Sequence, residues 1–449
     1  MDGTRATIIA VAARVPPFAL AAETVDRAYG RPPGPGGRRF AAYDEDALTL
    51  AYEAAERCLR GHDLRGPEGG GGFDRSRVRA LFVASTSWPR VAAAQADRIA
   101  AWLDLPESVE VATFGGSLRC GAAALRVALS SPTRPALVVA ADRLTSPPGS
   151  EQEASLGDAA AAVLVGDGDG IARVCNWTSR ADVTEWSSTD ARFVTTHAAR
   201  LASSVPREGC VRAAISAPGM RAAKAASAAL RIPASTGAMD KVGFCGAAHP
   251  LLALVELLEG ASAGERLLWA AVGDGVEGAT LEVMRPTGEK TLAGDLAKAR
   301  PVTAYGTWLA SRTFFDDPAQ QRVFASAAME KRDEEHLLRL HGTRCAACGA
   351  THTLPAPVCA RCGAFEGAAR IPLARAGRVF TFTHEHYVPT PTPPVTMAVV
   401  DLDGGGRILV QVADALSDEV KTGARVRLVP RRLHMGGGVP NYYWKAVLA

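Results

Sequence analysis

Four of the nine cysteines crowd into 18 positions, as Cys345-x-x-Cys348, ten intervening residues and Cys359-x-x-Cys362. A glycine follows the second cysteine of each pair, Gly349 and Gly363, as a knuckle requires if backbone amides are to turn toward sulfur. Four thiolates at this spacing predict a closed tetrahedral Zn2+ site with no position left for substrate. The role of such a site is structural, since it supplies folding free energy to a segment too small to bury a core. A chance cluster of free thiols and a redox Cys-x-x-Cys are the competing readings. The motif is doubled and not embedded in a βαβ pattern, which argues against the redox one.

The second place for chemistry is Val111–Leu129, VATFGGSLRCGAAALRVAL. It reads as an apolar strand end, a Gly115-Gly116 turn and an alanine-rich helix beginning near Leu118. A helix start collects unpaired N–H groups and a positive dipole end, and a nucleophile or an oxyanion placed there is stabilised. Cys120 lies in this helix, either as a nucleophile or as a small apolar filler. In the second half His249 follows Gly246-Ala247-Ala248 at another helix opening. An imidazole there serves as acid or base, or bonds to nearby backbone. Cys245 reads as packing within a glycine turn, Asp158 as a turn or dimer-contact residue, and His197 and Ser216 as weaker candidates.

The elements that position these residues follow from apolar patterning. Thr7–Val15, Arg79–Ala84, Ala136–Asp142 (ALVVAAD) and Gly157–Gly166 (GDAAAAVLVG) are buried strands, and Asp44–Leu59 and Gln95–Leu103 are helices. Strands alternating with helices predict a mostly parallel sheet covered on both faces. The second half repeats the grammar: LVVAADRL with GDAAAAVLVG resembles LLWAAVGDG with GATLEV, which suggests an internal duplication. Gln320–Leu340 predicts an exposed helix. Beyond Arg344, short alternating runs between glycine turns predict a small barrel.

With 449 residues, 47% hydrophobic and 22% charged, the chain has room for two or three domains of ordinary globular composition. A net charge of +3 is too small to argue for nucleic acid or an acidic membrane surface. No apolar run reaches the ~18 residues of a membrane span, and no signal peptide is evident at the start. The odd cysteine count without a secretion signal points to the reducing cytoplasm. From His341 onward, 12 Lys/Arg stand against 7 Asp/Glu without a basic stripe. Phe380, Phe382, Tyr387, Tyr442, Tyr443 and Trp444 could stack bases, but core packing explains them more simply.

These residues resemble a known architecture. TIIAVAARVP, GGSLRCGAAAL, ALVVAAD, GDAAAAVLVGD, GFCGAAHPLLALVELLEG and LLWAAVGDGVEGATLEV are similar to the thiolase superfamily, nearest its 3-hydroxy-3-methylglutaryl-CoA synthase and ketoacyl synthase III branch. The Cys-x-x-Cys-Gly pairs, Pro393-Pro394, VVDLDGGGRILVQ and NYYWKA resemble the zinc-ribbon/OB-fold (DUF35) family. The resemblance implies an α/β chain in four parts: a five-layered αβαβα thiolase-like domain of two pseudo-repeated halves (1–286), a helical connector (287–340), a rubredoxin-like zinc ribbon (341–370) and an OB-fold barrel (371–449). It implies a homodimer acting on acyl-CoA or acyl-carrier thioesters in carbon–carbon bond formation or cleavage, and a possible second thiolase-family partner.

The resemblance also locates catalytic roles, and the sequence departs from them. The nucleophile cysteine of the family falls on Leu118, the histidine near Ser216, the asparagine on Phe244 and the acidic residue at Thr86. Cys120, His249 and Ser216 remain as catalytic candidates, and Arg119, Arg431 and Arg432 as ligands of CoA phosphates. Three readings follow, taken in this order. The first is aldol or Claisen-type chemistry without an acyl-cysteine, the second a catalytically silent acyl-binding or scaffold partner of an active thiolase, the third a Cys120-dependent acyltransferase.

Overall fold

Unbroken apolar runs set the first sheet, because a strand buried on both faces has no polar side to show. The computed structural model describes residues 6–61, 72–89, 94–150, 152–182, 191–317, 326–354, 357–365, 367–436 and 438–449. The chain forms two units, Met1–Ala41 with Asp46–Tyr305, and Ala42–Glu45 with Gly306–Ala449.

The main sheet of the first unit has ten strands: β1 (Thr7–Arg14), β2 (Ala80–Ala84), β3 (Glu110–Phe114), β4 (Ala136–Arg143), β5 (Asp158–Gly166), β6 (Ala172–Ala181), β7 (Arg212–Ser216), β8 (Ala234–Ser235), β9 (Arg266–Gly273) and β10 (Gly275–Val283). Their spatial order is β3-β2-β4-β5-β1 and then, in the second half, β6-β10-β9-β7-β8. The two halves share one plan. β2 is parallel to β3 and β4, β4 antiparallel to β5, and β5 antiparallel to β1. Likewise β7 is parallel to β8 and β9, β9 antiparallel to β10, and β10 antiparallel to β6. Only Thr7↔Arg173 and Ile8↔Ala172 join the halves through β1 and β6. LVVAADRL and LLWAAVGDG thus lie on β4 and β9, equivalent strands of the two halves.

Six helices follow the same plan: α1 (Ala47–Arg60), α2 (Gln95–Trp102), α3 (Cys120–Ser130), α4 (Ala191–Ser203), α5 (Met220–Leu230) and α6 (His249–Glu259). α3 follows β3 and α6 follows β8, so they are mates in the two halves. α6, HPLLALVELLE, is buried at every position but Glu256, as a helix apolar all round must be. It packs on β5 and β1 of one half and on β7 and β9 of the other, and against α3. This pair is the central layer of an αβαβα stack. α1 covers β1, β4 and β5 from outside, and α4 with α5 covers the second half. A Cβ on Gly121 would lie 2.3 Å from the Ala247 carbonyl oxygen, so the two central helix starts approach as closely as they do only over glycine.

Asp158, which the sequence suggested as a turn or dimer-contact residue, opens β5 and is wholly buried. It accepts hydrogen bonds from Arg38 Nη2 (3.3 Å) and from the N–H groups of Ala41 (2.8 Å) and Leu144 (2.9 Å). Burial of a carboxylate is tolerated when it is paired in this way.

The second unit begins with short helices. The helix expected over Gln320–Leu340 is two pieces, Ala327–Arg332 and Glu334–Arg339, separated at Asp333; the start of that range lies outside the described residues. The ribbon is β11 (His341–Cys345), β12 (Thr351–His352) and β13 (Ala368–Pro372), in the order β12-β11-β13. The barrel follows as β14 (Ala376–Glu385), β15 (Val395–Leu402), β16 (Arg407–Gln411), β17 (Arg425–Gly436) and β18 (Val439–Leu448), ordered β16-β15-β14-β17-β18. A parallel bridge from Val412 to Ala446 brings its two ends together. Trp444 is fully buried and donates its indole N–H to the Leu337 carbonyl at 3.0 Å, and Tyr443 Oη lies 2.9 Å from His336 Nε2. Phe380 sits under the Arg407 guanidinium at 3.6 Å. Among the described residues no helix is long and apolar enough to cross a membrane.

Candidate functional site

The Gly115-Gly116 turn delivers the chain from β3 to α3, whose first residue is Cys120. The Cys120 side chain points into the central layer, 3% exposed among Ala122, Ala124 and Leu125. Burial pushes its thiol up to about 12, and the nearby Asp142 carboxylate pushes the same way. Cys245, at the equivalent turn of the second half, is also fully buried, with its thiol held well above the ordinary range by burial.

Leu118 is half-buried and packs against one apolar cluster that contains Ile215, Ala217, Met239 and Phe244. The positions that the resemblance gives to the nucleophile and the asparagine, Leu118 and Phe244, therefore meet in one hydrophobic group. Ser216 ends β7 between two members of that group and is 2% exposed. His249 is the first residue of α6 and is wholly buried, with its ring 5.3 Å from the Phe244 ring. Its Nε2 lies 3.0 Å from the Thr236 carbonyl oxygen, and its Nδ1 has no hydrogen-bond partner. Burial lowers its pKa to about 4, partly opposed by the Thr236 carbonyl, so the imidazole is neutral at physiological pH. On the outer α4 helix, His197 lies 3.6 Å from Asp182 and 3.1 Å from Arg200.

Thr86, at the position of the family's acidic residue, lies beside a carboxylate from another strand. Asp142, at the end of β4, is fully buried and accepts from the Ser85 and Ser87 hydroxyls (2.7 Å each), Thr86 N–H (2.8 Å), Thr86 Oγ1 (2.9 Å) and Ala247 N–H (2.6 Å). Burial raises its pKa, against the pull of these donors. The Gly246 φ of +52° leaves no room for a side chain, since a Cβ would fall 2.2 Å from Asp142 Oδ2.

The structure adds a polar group at the α3 turn that the sequence reading missed. The β9–β10 hairpin, Gly273-Asp274-Gly275, lies against Leu118, with 3.9 Å from a Cβ placed on Gly273 to Leu118 Cβ. Ser117 Oγ donates to Asp274 Oδ1 at 2.7 Å, and Arg119 reaches the same oxygen from Nε (3.3 Å) and the Asp274 carbonyl from Nη2 (2.7 Å). Arg119 Nη1 bonds Glu277 Oε1 at 3.1 Å, and Glu277 also accepts from the Trp177 indole and the Ser179 hydroxyl. Glu277 is buried, whereas the Asp274 side chain is 43% exposed. The one available signal was the Gly-Asp-Gly spacing itself, a turn that presents a carboxylate; its meeting with Ser117 and Arg119 spans more than 150 residues of chain.

Arg431 and Arg432, on β17, face inward. Arg431 is fully buried against Glu45 (3.1 Å) and Asp414 (2.9 Å). Arg432 Nη2 donates to the carbonyls of Tyr43 (2.7 Å) and Glu45 (3.1 Å). Beside them, Lys445 Nζ meets Asp44 at 2.8 Å with both side chains buried.

The four ribbon cysteines converge, with sulfurs all within 4.8 Å of one another. The two knuckles have one geometry. Gly349 and Gly363 adopt φ of +70° and +77°, and their N–H groups return to the Cys345 and Cys359 carbonyls at 2.9 Å each. Backbone N–H groups of Cys362 and Arg361, with the His352 ring, bring the Cys359 thiol down to about 5. The Ala364 N–H favours a Cys362 thiolate too, yet crowding by the Cys348 and Cys359 sulfurs outweighs it and pushes Cys362 up to about 12. Four sulfurs so close cannot all ionise unless a cation neutralises them. The donor set, its tetrahedral number and its spacing fit Zn2+.

Comparison with known proteins follows this division. A family model described as the ChsH2 C-terminal OB-fold domain matches residues 370–431. A DUF35 domain-containing scaffold protein of Methanocaldococcus jannaschii is 31% identical over 111 residues, 24% of this chain and 79% of that protein. The chain belongs to the DUF35 family. Hydroxymethylglutaryl-CoA synthase of Thermococcus gammatolerans is 29% identical over 164 residues, 35% of this chain; the chain spans 44% of that synthase's length. A solved structure described as MvaS in complex with 3-hydroxy-3-methylglutaryl coenzyme A superimposes with a TM-score of 0.53 at 21% identity, covering 69% of this chain and 92% of that one. The DUF35 part is thus fused to a domain of the thiolase fold.

Proposed function

We propose that this chain handles acyl-CoA or acyl-carrier thioesters in carbon–carbon bond formation or cleavage of the aldol or Claisen type, without an acyl-cysteine. The observation that supports this reading most is the α3 start, where Leu118, the residue that the resemblance sets against the nucleophile, packs on an apolar cluster and burial pushes the Cys120 thiol up to about 12. An aldol or retro-aldol step needs an acid/base and an oxyanion site, and no covalent acyl group. Asp274, partly exposed and steered by Ser117 and Arg119 next to Leu118, is the carboxylate suited to move the proton. The positive end of α3 is suited to an oxyanion. The synthase relatives and the neighbour described with a CoA thioester support the substrate class. Zn2+ held by Cys345, Cys348, Cys359 and Cys362 completes the ribbon structurally, and β3, an edge strand with exposed positions, suits a homodimer. The nine cysteines, none in a disulfide, suit the cytoplasm.

Incubation with a panel of acyl-CoAs, followed by intact-mass measurement and product analysis, tests the reading. Turnover with no protein adduct, abolished in Asp274→Asn while thioester binding persists, supports it. An adduct that disappears in Cys120→Ala refutes it in favour of an acyltransferase. Thioester binding without turnover favours the second reading, a catalytically silent acyl-binding partner of another thiolase-family protein. The withdrawn, neutral His249 and the relative described as a scaffold protein support that alternative.

A further inference from the structure

Outside the cysteine set, the His352 side chain reaches one of the ligand sulfurs. Its Nε2 lies 3.3 Å from Cys359 Sγ, a hydrogen-bonding distance for an N–H donor to sulfur. The ring is delivered by β12, which pairs antiparallel with β11 through Thr343↔His352 and Arg344↔Thr351. β11 ends at Cys345, so the histidine is anchored to the first knuckle and reaches across to the second. Among the described residues, the second knuckle, Cys359–Gly363, carries no strand. Cys345 and Cys362 approach at 3.8 Å, and Cys348 and Cys359 at 3.7 Å. The His352–Cys359 contact is thus a direct tie between the two knuckles from a non-cysteine side chain.

From this we propose that His352 is a positioning residue of the zinc site. It donates Nε2–H to the Cys359 thiolate, holds the second knuckle in register with the first, and draws off part of the charge of a site that carries four thiolates around a divalent ion. It is not a zinc ligand: the sulfur stands where the ring nitrogen points, and the four sulfurs already fill a tetrahedron. Groups in this outer position set ligand orientation and are commonly worth ~10–100-fold in metal affinity. The inference rests on the zinc reading of the cysteine cluster and goes beyond it.

The test uses the full chain loaded with Zn2+ or Co2+. Metal analysis first establishes the zinc reading; clearly less than one zinc per chain overturns that reading, and this inference with it. With zinc bound, His352→Ala is expected to lose metal to a chromogenic chelator about tenfold faster than the parent chain. His352→Gln, which keeps an N–H donor, is expected to recover part of the difference. In the Co2+ form the visible d–d bands are expected to report four sulfur ligands in the parent chain and both variants. Equal release rates in all three chains overturn the proposal. So does a parent-chain Co2+ spectrum with the d–d bands of mixed nitrogen and sulfur ligation, because that places the ring among the ligands.

Discussion

Alkylation of Cys120 in the native protein offers the sharpest check on the chemistry assigned to the α3 start. An ordinary cysteine with a pKa near 8.5 is ~10% thiolate at about pH 7.5, and the thiolate is the reacting species. With the thiol pushed up to about 12 by burial, Cys120 holds only ~0.003% thiolate at that pH. Iodoacetamide should therefore label it roughly three-thousandfold more slowly than an ordinary thiol. Its 3% exposure slows the reagent further. Cys175, half-buried on β6, provides the internal reference. Timed quenching followed by peptide mass mapping gives both rates from one sample, and the Cys120 rate should rise about tenfold per pH unit across the range where the fold is intact. Labelling of Cys120 within about tenfold of Cys175, or an acyl mass on its peptide, would refute the argument that burial has silenced this position.

Three further outcomes follow from buried groups. The folded-state pKa of His249, about 4, lies below its unfolded value of ~6.5. The unfolded chain therefore binds more protons between these values, and His249 stabilises the fold fully above the upper one and progressively less as pH falls toward the lower. This should remove about 2 kcal/mol of stability between pH ~7 and pH ~5, read as the difference in urea unfolding between the parent chain and His249→Gln at those two pH values. Arg431→Met removes the buried cation that Glu45 and Asp414 share and should cost about 3–5 kcal/mol, seen as a lowered denaturation midpoint; an unchanged midpoint would contradict the pairing. Chelation of the metal should release one zinc per chain and lower the thermal stability of the second unit, seen by calorimetry as an unfolding transition moved to lower temperature.

The parts of this molecule that were legible in the sequence are those written locally. Cys-x-x-Cys-Gly twice over specifies the knuckles, and the apolar runs of β4, β5 and β9 specify strands buried on both faces. Even the shared plan of the two halves shows in LVVAADRL and LLWAAVGDG. What remained illegible is long-range pairing of charged residues. Nothing near Arg119 announces Asp274 and Glu277, and nothing near Arg431 announces Glu45, because an arginine beside apolar residues reads the same whether its partner is water or a distant carboxylate. Asp142 is hidden for the same reason: its five donors come from two separate segments, Ser85–Ser87 and Ala247. The helix expected over Gln320–Leu340 fails locally, since Asp333 ends one short helix and begins the next.

The contact between Gly121 and the Ala247 carbonyl has a mechanical meaning. Two helices touching backbone to backbone leave no slack for one to slide while the other stays, so the starts of α3 and α6 move as one rigid strut. Any opening beside Leu118 must then come from rotation of side chains or from the Gly273–Gly275 hairpin. A single methyl group at residue 121 would act as a wedge between the α3 start and the Ala247 carbonyl, 2.3 Å from that oxygen.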